Sequence, residues 1–169
     1  MTAHYATTAT PAGPFTAVVD TDGAVLASGW TADLGDLLPV IHSTLRPTAV
    51  EERAELGAVT RAVADFHVGE LTAIDDIVVR QRSGPFVEHA WDVLRTVEPG
   101  KPLTYTEYAD LSGRPAAVRA AAMACARNAA ALFVPCHRVL RLDKSLGGFR
   151  WGLGVKEWLL AHEAHTIAS

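Results

Sequence analysis

The alternation of apolar and polar positions in the first half of the chain predicts short strands and one helix. Residues 14–30 form two β-rich runs around Asp22-Gly23, a dipeptide typical of tight hairpin turns. Residues 50–67 predict a helix, because acidic residues near its start precede apolar residues at helical spacing: Leu56, Val59, Val63 and Phe66. Residues 74–79 predict another short strand.

The second half of the chain has the pattern of a mainly helical domain. Residues 81–85 end in Gly-Pro and interrupt the periodicity, which marks a linker. Residues 86–97 then place apolar side chains on one helical face: Phe86, Ala90, Val93, Leu94 and Val97. We therefore expect an α+β fold with an N-terminal domain over residues 1–80 and a C-terminal domain over residues 86–169.

A short helix, a turn and a second helix are predicted next. Thr104 and Glu107 fit a capping box, with Thr104 as the N-cap of a helix that ends near Leu111. Ser112-Gly113 forms the turn, and Pro115 suits the first position of the following helix, residues 115–126. This order matches the outline of a helix-turn-helix, although many helical hairpins share it.

The second of these helices is mostly alanine, which has two interpretations. Alanine favours helix formation and close packing between helices, and that alone explains its presence. Alternatively, small side chains let the helix enter a DNA groove closely, with Arg119 as the one long projecting residue.

Composition and charge limit the locations and the binding partners that we expect for this protein. The 169 residues are 49% hydrophobic, and we expect neither a signal peptide nor a membrane span. The net charge is −4, but residues 1–80 carry −7 and residues 81–169 carry +3. The C-terminal domain is therefore the part suited to phosphates.

Cysteine and histidine usage points to a reduced protein without a metal site. The two cysteines, Cys125 and Cys136, are too few for a secreted disulfide framework, so a cytoplasmic location is expected. The spacing of His162 and His165 is i, i+3, whereas the zinc-protease pattern needs i, i+4. We expect no bound metal and no cofactor.

Cys136 lies within Pro135-Cys136-His137-Arg138-Val139 and is a candidate nucleophile. A thiol reacts as the thiolate, so a nearby base must help to remove its proton. His137 is adjacent in sequence, and Glu163 in the C-terminal helix is a candidate to orient it. The alternative is that Cys136 is a small buried hydrophobic residue, which is what we expect of Cys125.

The segment from Pro99 to Glu163 resembles the C-terminal domain of the O6-alkylguanine-DNA alkyltransferases, also called methylated-DNA–protein-cysteine methyltransferases. The order and spacing of several short pieces carry the resemblance: Pro99-Gly100, Thr104-Tyr105, Arg119-Ala120, Asn128, Pro135-Cys136-His137-Arg138-Val139, Gly147 and the run from Lys156 to Glu163. Residues 11–15 match the family's ribonuclease-H-like N-terminal domain only loosely.

The resemblance implies a reaction and assigns roles. Cys136 would accept the alkyl group of O6-alkylguanine, with O4-alkylthymine as a possible further substrate, in a single irreversible step. The other implied catalytic residues are His137, Glu163, Asn128 and Tyr105. The implied DNA contacts are Arg119, Thr104, Ala117, Val118 and Ala120, and the implied pocket residues are Val139, Gly147, Phe149 and Arg150.

The resemblance also implies a partner and a way of reaching the base. The partner would be double-stranded DNA, bound by a monomer with no membrane attachment. Because O6 is buried in the base stack, the damaged nucleotide has to be flipped out, and Arg119 would fill the gap. Tyr105 would donate a hydrogen bond to guanine N3 as the base leaves.

The sequence departs from the family pattern around the expected pocket. Ala129 stands where proline is usual, and Phe149 stands where tyrosine is usual. Arg150-Trp151 replaces small residues, and Ala122-Met123 replaces glycines in the second helix. These changes bear on the shape of the pocket and on the range of substrates.

Three other functions compete with alkyl transfer. A lesion-binding protein without activity usually lacks the reactive cysteine, so Cys136 argues against it. A helix-turn-helix regulator would use Cys136 structurally or as a redox sensor. A cysteine hydrolase would need a base histidine that is separate in sequence from its nucleophile.

Overall fold

The computed structural model describes residues 1–169 and has a mixed α+β fold. The chain divides into two compact units. The first contains Met1–Arg82 and Ala129–Phe133, and the second contains Ser83–Asn128 and Val134–Ser169. None of the helices has the length and apolar character needed to span a membrane.

The first unit is built on a four-stranded sheet in the order β3-β2-β1-β4. Its strands are β1 (Thr2–Thr10), β2 (Gly13–Val19), β3 (Val25–Gly29) and β4 (Ala49–Glu52). Neighbouring strands are antiparallel except β1 and β4, which are parallel. The hairpin predicted around Asp22-Gly23 is confirmed, and Gly23 has a φ of 83° that favours glycine.

Strand β1 was not predicted, because its buried positions are small and do not alternate with exposed ones. Ala3 and Ala6 are buried at 0% and 1% exposure, while the residues between them are less buried or polar. Such a strand lacks the large apolar residues that mark a core-facing sheet position.

The predicted helix over residues 50–67 is wrong at its start. Residues 49–52 form β4 and pair with β1, and helix α1 covers only Ala58–His67. Gly57, with a φ of 63°, precedes the helix as its N-cap, so the chain turns sharply there. The acidic residues thus lie on an edge strand, where exposed charges are well tolerated.

Only the last part of the strand predicted over residues 74–79 pairs with another strand. Residues 71–76 form turns, and Val79 makes an isolated parallel bridge to Val25. Val25 also donates its N–H to the Val78 carbonyl at 2.8 Å. The two acids at 75 and 76 do not suit a buried strand, whereas they do suit a turn.

The core of the first unit is aromatic. Phe15 packs against Trp30 and Phe133, with ring centroids 5.0 and 6.2 Å apart. Helix α1 turns Val59, Val63 and Phe66 inward. Ser28 of β3 binds the backbone of residues 129–133, since its hydroxyl donates to the Ala131 carbonyl at 2.7 Å.

The second unit is mainly helical. It contains the helices α2 (Pro85–Leu94), α3 (Tyr105–Leu111), α4 (Val118–Arg127) and α5 (Leu153–Ala168), and the short strands β5 (Leu103–Thr104) and β6 (Val139–Leu140). Side-chain bonds tie α2 to its neighbours. The Trp91 indole donates to the Ala124 carbonyl at 2.8 Å, and the Tyr108 hydroxyl donates to the Ala90 carbonyl at 2.6 Å.

Helix α3 begins and ends as its sequence predicts. The capping box is confirmed: Thr104 Oγ1 accepts from the Glu107 N–H, and Glu107 Oε1 accepts from the Thr104 N–H. At the other end, Gly113 has a φ of 90° and donates to the Asp110 carbonyl, while Arg114 donates to the Ala109 carbonyl. This pair of bonds is a Schellman motif, which satisfies the last carbonyls of the helix.

Helix α4 begins at Val118, so the predicted start at Pro115 is wrong. Residues 114–117 form a turn closed by a hydrogen bond from the Ala117 N–H to the Arg114 carbonyl at 2.9 Å. Proline fits the second position of such a turn as well as it fits the first turn of a helix. The α3–α4 connection is therefore longer than expected.

Candidate active site

The pairing of β5 with β6 brings two distant parts of the second unit together. Leu103 pairs with Val139 and Thr104 with Leu140 in a parallel register. Tyr105 follows β5 directly, and Cys136 starts the 3₁₀ turn Cys136–Arg138 that leads into β6. Two short strands thus place the expected proton donor near the expected nucleophile.

The backbone before Cys136 makes a tight turn. Pro135 has φ −82° and ψ 65°, close to an inverse γ-turn, and the Cys136 N–H donates to the Val134 carbonyl at 2.8 Å. The Asn128 amide donates to the same carbonyl at 2.8 Å and also hydrogen-bonds the Cys136 sulfur. Asn128 therefore fixes the turn and the thiol together.

Behind the cysteine lies a buried group of charged and polar residues. His137 Nε2 lies 2.8 Å from Glu163 Oε2, and both side chains are almost fully buried. An ionised carboxylate only accepts, so the proton of neutral His137 is on Nε2 and Nδ1 carries the lone pair. His137 Nδ1 is buried and has no hydrogen-bond partner.

Arg138 supplies a permanent positive charge to the same carboxylate. Its Nη2 lies 2.8 Å from Glu163 Oε2, and its Nε lies 3.1 Å from each carboxylate oxygen. Its Nη1 donates to the Val97 carbonyl at 2.8 Å, which ties the segment after α2 to the site. The resemblance did not assign Arg138, although it belongs to the recognised pentapeptide.

The pKa shifts follow from burial and from these partners. Burial raises the pKa of Glu163, but His137 and Arg138 outweigh it and hold that pKa at about 2. Burial lowers the pKa of His137, and Glu163 only partly offsets this, so the imidazole is neutral. Burial raises the pKa of the Cys136 thiol, while Asn128, Lys156 and Arg150 favour the thiolate.

Cys136 opens into a pocket of about 410 Å³, a volume typical of small-molecule sites. The pocket is lined by Tyr105, Ala122, Cys125, Ala126, Asn128, Cys136, Gly148, Phe149, Arg150 and Trp151. Burial is the main reason that the pKa of Tyr105 is raised to about 12. Its hydroxyl is therefore protonated at neutral pH and can donate a hydrogen bond into the pocket.

One wall of the pocket is an irregular loop before α5. Gly147 and Gly152 flank this loop with φ values of 71° and 102°. A Cβ at Gly147 would lie 3.6 Å from the Tyr105 hydroxyl, so Gly147 sits beside that group. It does not line the pocket, whereas the following residue, Gly148, does.

Lys156 is a buried cation that sequence reasoning did not single out. It is 1% exposed, and its Nζ donates to the Val139 carbonyl at 2.8 Å and lies 6.0 Å from the Phe149 ring centroid. The Val139 carbonyl retains one free lone pair. The position of Lys156 on α5, one turn inside the helix, could not be recognised from its spacing alone.

The residues expected to bind DNA lie on α4 and at the start of α3. Arg119 is exposed on the second residue of α4, and Ala117, Val118 and Ala120 are half-buried around it. Thr104 is 7% exposed and its hydroxyl is engaged in the capping box. Cys125, expected to be only a buried residue, lines the pocket beside Cys136.

Metal-binding geometry is not found in the protein. No group of three or more histidine, cysteine, aspartate or glutamate side chains is arranged to hold a metal ion.

The chain is similar to known proteins over nearly its whole length. A family model described as the DNA-binding domain of 6-O-methylguanine DNA methyltransferase matches residues 85–165. The methylated-DNA–protein-cysteine methyltransferase of Salmonella typhimurium is 31% identical over 94% of this chain and 94% of its own length. The protein of the same name from Mycobacterium bovis is 32% identical, over 95% and 92%.

Solved structures agree with these relatives. The O6-methylguanine methyltransferase of Mycobacterium tuberculosis superimposes with a TM-score of 0.79 at 26% identity, covering 97% of this chain and 94% of that one. The Mycobacterium tuberculosis protein OGT in complex with DNA gives a TM-score of 0.81 at 27% identity, covering 96% and 94%. The chain therefore belongs to the methylated-DNA–protein-cysteine methyltransferase family.

Proposed function

We propose that this protein repairs DNA by transferring the alkyl group of O6-alkylguanine directly and irreversibly to Cys136. The observation that carries the proposal is the position of Cys136, which lines a pocket of about 410 Å³ in front of a buried His137–Glu163 pair. The family membership of the chain supports the same reaction. O4-alkylthymine is a second candidate substrate.

The first step is removal of the thiol proton. His137 is neutral, and its unpartnered Nδ1 is the basic nitrogen of the site. Neighbouring side chains along a chain usually diverge, so one water molecule carries the proton from Cys136 to Nδ1. Glu163, which stays ionised, then stabilises the imidazolium that forms.

The second step is the displacement. The Cys136 sulfur attacks the alkyl carbon, an S–C bond forms, and the C–O6 bond breaks with its electron pair passing to guanine. Tyr105 donates a hydrogen bond to N3, where negative charge develops. The thioether has no route back to a thiol, so each molecule acts once.

The carbonyls of Cys136 and Val139 are candidates to hold the guanine amine. Val139 already accepts one hydrogen bond, from Lys156, and has a second lone pair to offer. Phe149 and Arg150 are proposed to complete the pocket around the base, and Gly147 is proposed to allow the tight turn of the loop beside Tyr105. Asn128 braces the turn that presents the thiol.

Reaching O6 requires the nucleotide to leave the duplex, at a cost of a few kcal/mol. Helices α3 and α4 are proposed to act as a helix-turn-helix on double-stranded DNA, with Arg119 filling the vacated stack. Its exposure at the start of α4 supports this role. Thr104, Ala117, Val118 and Ala120 would lie against the DNA backbone.

The remaining parts of the proposal concern the organisation of the protein. We infer a ribonuclease-H-like N-terminal domain over residues 1–80, a linker over residues 81–85 and a catalytic domain over residues 86–169. We further propose that the protein works as a monomer in the cytoplasm, where both thiols stay reduced.

The test is to incubate the protein with a duplex that contains O6-methylguanine and to analyse peptides by mass spectrometry. One methyl group per molecule is expected on the peptide that contains Cys136, without turnover. Cys136→Ala should bind the duplex and transfer nothing, whereas Cys125→Ala should still be methylated at Cys136. Tight lesion binding with an unmodified Cys136 would overturn the proposal and favour a lesion-binding protein.

A further inference from the structure

Arg150 occupies an unusual place in the pocket wall. Its guanidinium reaches the C-terminal end of α4, where Nη2 donates to the Ala126 carbonyl at 2.5 Å and Nη1 lies 3.5 Å from the Asn128 carbonyl. The guanidinium also lies 5.9 Å from the Trp151 ring centroid. One side chain thus contacts the helix end and its own loop.

The end of a helix suits this contact. The last carbonyls of an α-helix lack partners within the helix and carry partial negative charge. A guanidinium at this end therefore supplies both the missing hydrogen-bond donors and a compensating positive charge. A lysine has a single charged nitrogen and cannot reproduce the planar fork of arginine.

The loop that carries Arg150 is irregular. Residues 148–151 belong to no helix or strand, and the left-handed glycines Gly147 and Gly152 flank them. Within the loop, the Gly152 N–H donates to the Phe149 carbonyl at 3.1 Å. Arg150 therefore fastens this wall to the C-terminal end of α4.

We propose that Arg150 is a specificity-determining residue, which holds the wall of residues 148–151 against the end of α4 and so limits the size of the O6-alkyl group admitted. This inference rests on the proposed function. Arg150 acts on the alkyl group through the wall and is thus a positioning residue. The two hydrogen bonds of the guanidinium hold the wall in place.

The charge of Arg150 allows a second test of its positioning role, through the pH dependence of alkyl transfer. The guanidinium favours the Cys136 thiolate, against the burial that raises the thiol pKa. A thiolate close to a helix C-terminus is disfavoured by the helix dipole, and Arg150 offsets that effect. Loss of Arg150 should therefore move the pH dependence of transfer toward higher pH, which a purely structural loop contact would not do.

The experiment compares single-turnover rates on two duplexes, one with O6-methylguanine and one with O6-benzylguanine. In Arg150→Ser the benzyl-to-methyl rate ratio should rise about fivefold, the scale on which pocket contacts discriminate between alkyl groups. Arg150→Lys should give an intermediate ratio and keep most of the pH profile. Arg127→Ser, on the exposed end of α4, is the matched control and should leave the ratio unchanged.

Two results separate the inference from the proposed function. Equal slowing of both substrates in Arg150→Ser, with the wild-type ratio and pH profile, would overturn the role of Arg150 alone. A wild-type Cys136 that reacts with neither lesion would overturn the proposed function, and the inference with it. Thermal unfolding of each variant checks that the ratios come from folded protein.

Discussion

Arg138 binds both carboxylate oxygens of Glu163, with Nε 3.1 Å from each oxygen and Nη2 2.8 Å from Oε2. The contacts of Glu163 with His137 and with the fixed guanidinium charge of Arg138 together keep the carboxylate ionised. This arrangement leaves the histidine free to take the proton of Cys136.

Glu163→Gln should slow alkyl transfer by about a hundredfold, because the amide stabilises the imidazolium poorly. It should also lower the free energy of unfolding by about 3–5 kcal/mol, since Arg138 is left buried without its counter-charge. Single-turnover kinetics and urea unfolding measure the two effects. Glu157→Gln, on the exposed face of the same helix, should change neither.

Replacing both partners separates stability from catalysis. Arg138→Met combined with Glu163→Leu should recover part of the lost unfolding free energy, because two apolar side chains need no charge compensation. Transfer should stay slow. A double variant as reactive as the wild type would show that Glu163 has no part in the reaction.

Acid should destabilise the protein in two stages. The folded pKa of His137 lies below 6.5, so the unfolded chain binds this proton first and stability falls as the pH drops below that value. Glu163 keeps its charge in the fold down to about 2, against 4.5 in the unfolded chain, which adds a further loss below 4.5. Each group contributes a slope of up to about 1.4 kcal/mol per pH unit.

Urea unfolding across this pH range tests both stages. His137→Asn should remove the stage that begins near pH 6.5 and weaken the one that begins near pH 4.5, because Arg138 alone then lowers the Glu163 pKa. Stability that stays level between these two values in the wild type would mean that the folded protein carries a protonated His137.

Two tyrosines in α3 form a matched pair. Tyr105→Phe should reduce the transfer rate about tenfold or more by removing the hydrogen bond to the leaving base, with little effect on stability. Tyr108→Phe should do the reverse. It removes a buried hydrogen bond to the Ala90 carbonyl, which costs about 0.5–1.5 kcal/mol, and leaves the rate unchanged.

Arg119 should matter only when the target base starts inside a duplex. Arg119→Ala is expected to slow transfer from duplex DNA about tenfold, since unstacking costs a few kcal/mol and the arginine offsets part of it. Transfer from the free base O6-benzylguanine should be unaffected. Arg127→Ala, at the other end of α4, is the control, and equal slowing with both substrates would argue against the wedge.

Sequence signals correctly predicted those structural features that depend on residues close together in the chain. The hairpin at Asp22-Gly23 and the Thr104–Glu107 capping box depend on residues a few positions apart, and both are present. The start of α4 was misplaced because Pro115 suits a turn as well as a helix start. Strand β1 was missed because its buried residues are alanines.

In the active site, too, residues within one short motif could be predicted, whereas contacts between distant parts of the chain could not. The pentapeptide pointed to Cys136 and His137, and Glu163 in the C-terminal helix was a candidate to orient the histidine. The second partner of that carboxylate, Arg138, and the buried Lys156 became visible only with the fold. Their partners lie on elements distant in sequence, so no spacing rule could have joined them.

The two-residue pairing of β5 with β6 implies that the unfolded chain has no assembled active site. Tyr105 and Cys136 come together through contacts between distant parts of the chain, and such contacts form late. A nascent chain carries Cys136 as an ordinary thiol, with neither His137 nor Asn128 in place. Under the proposed function, only folded molecules would accept a methyl group. The number of methyl groups transferred would therefore equal the number of folded molecules.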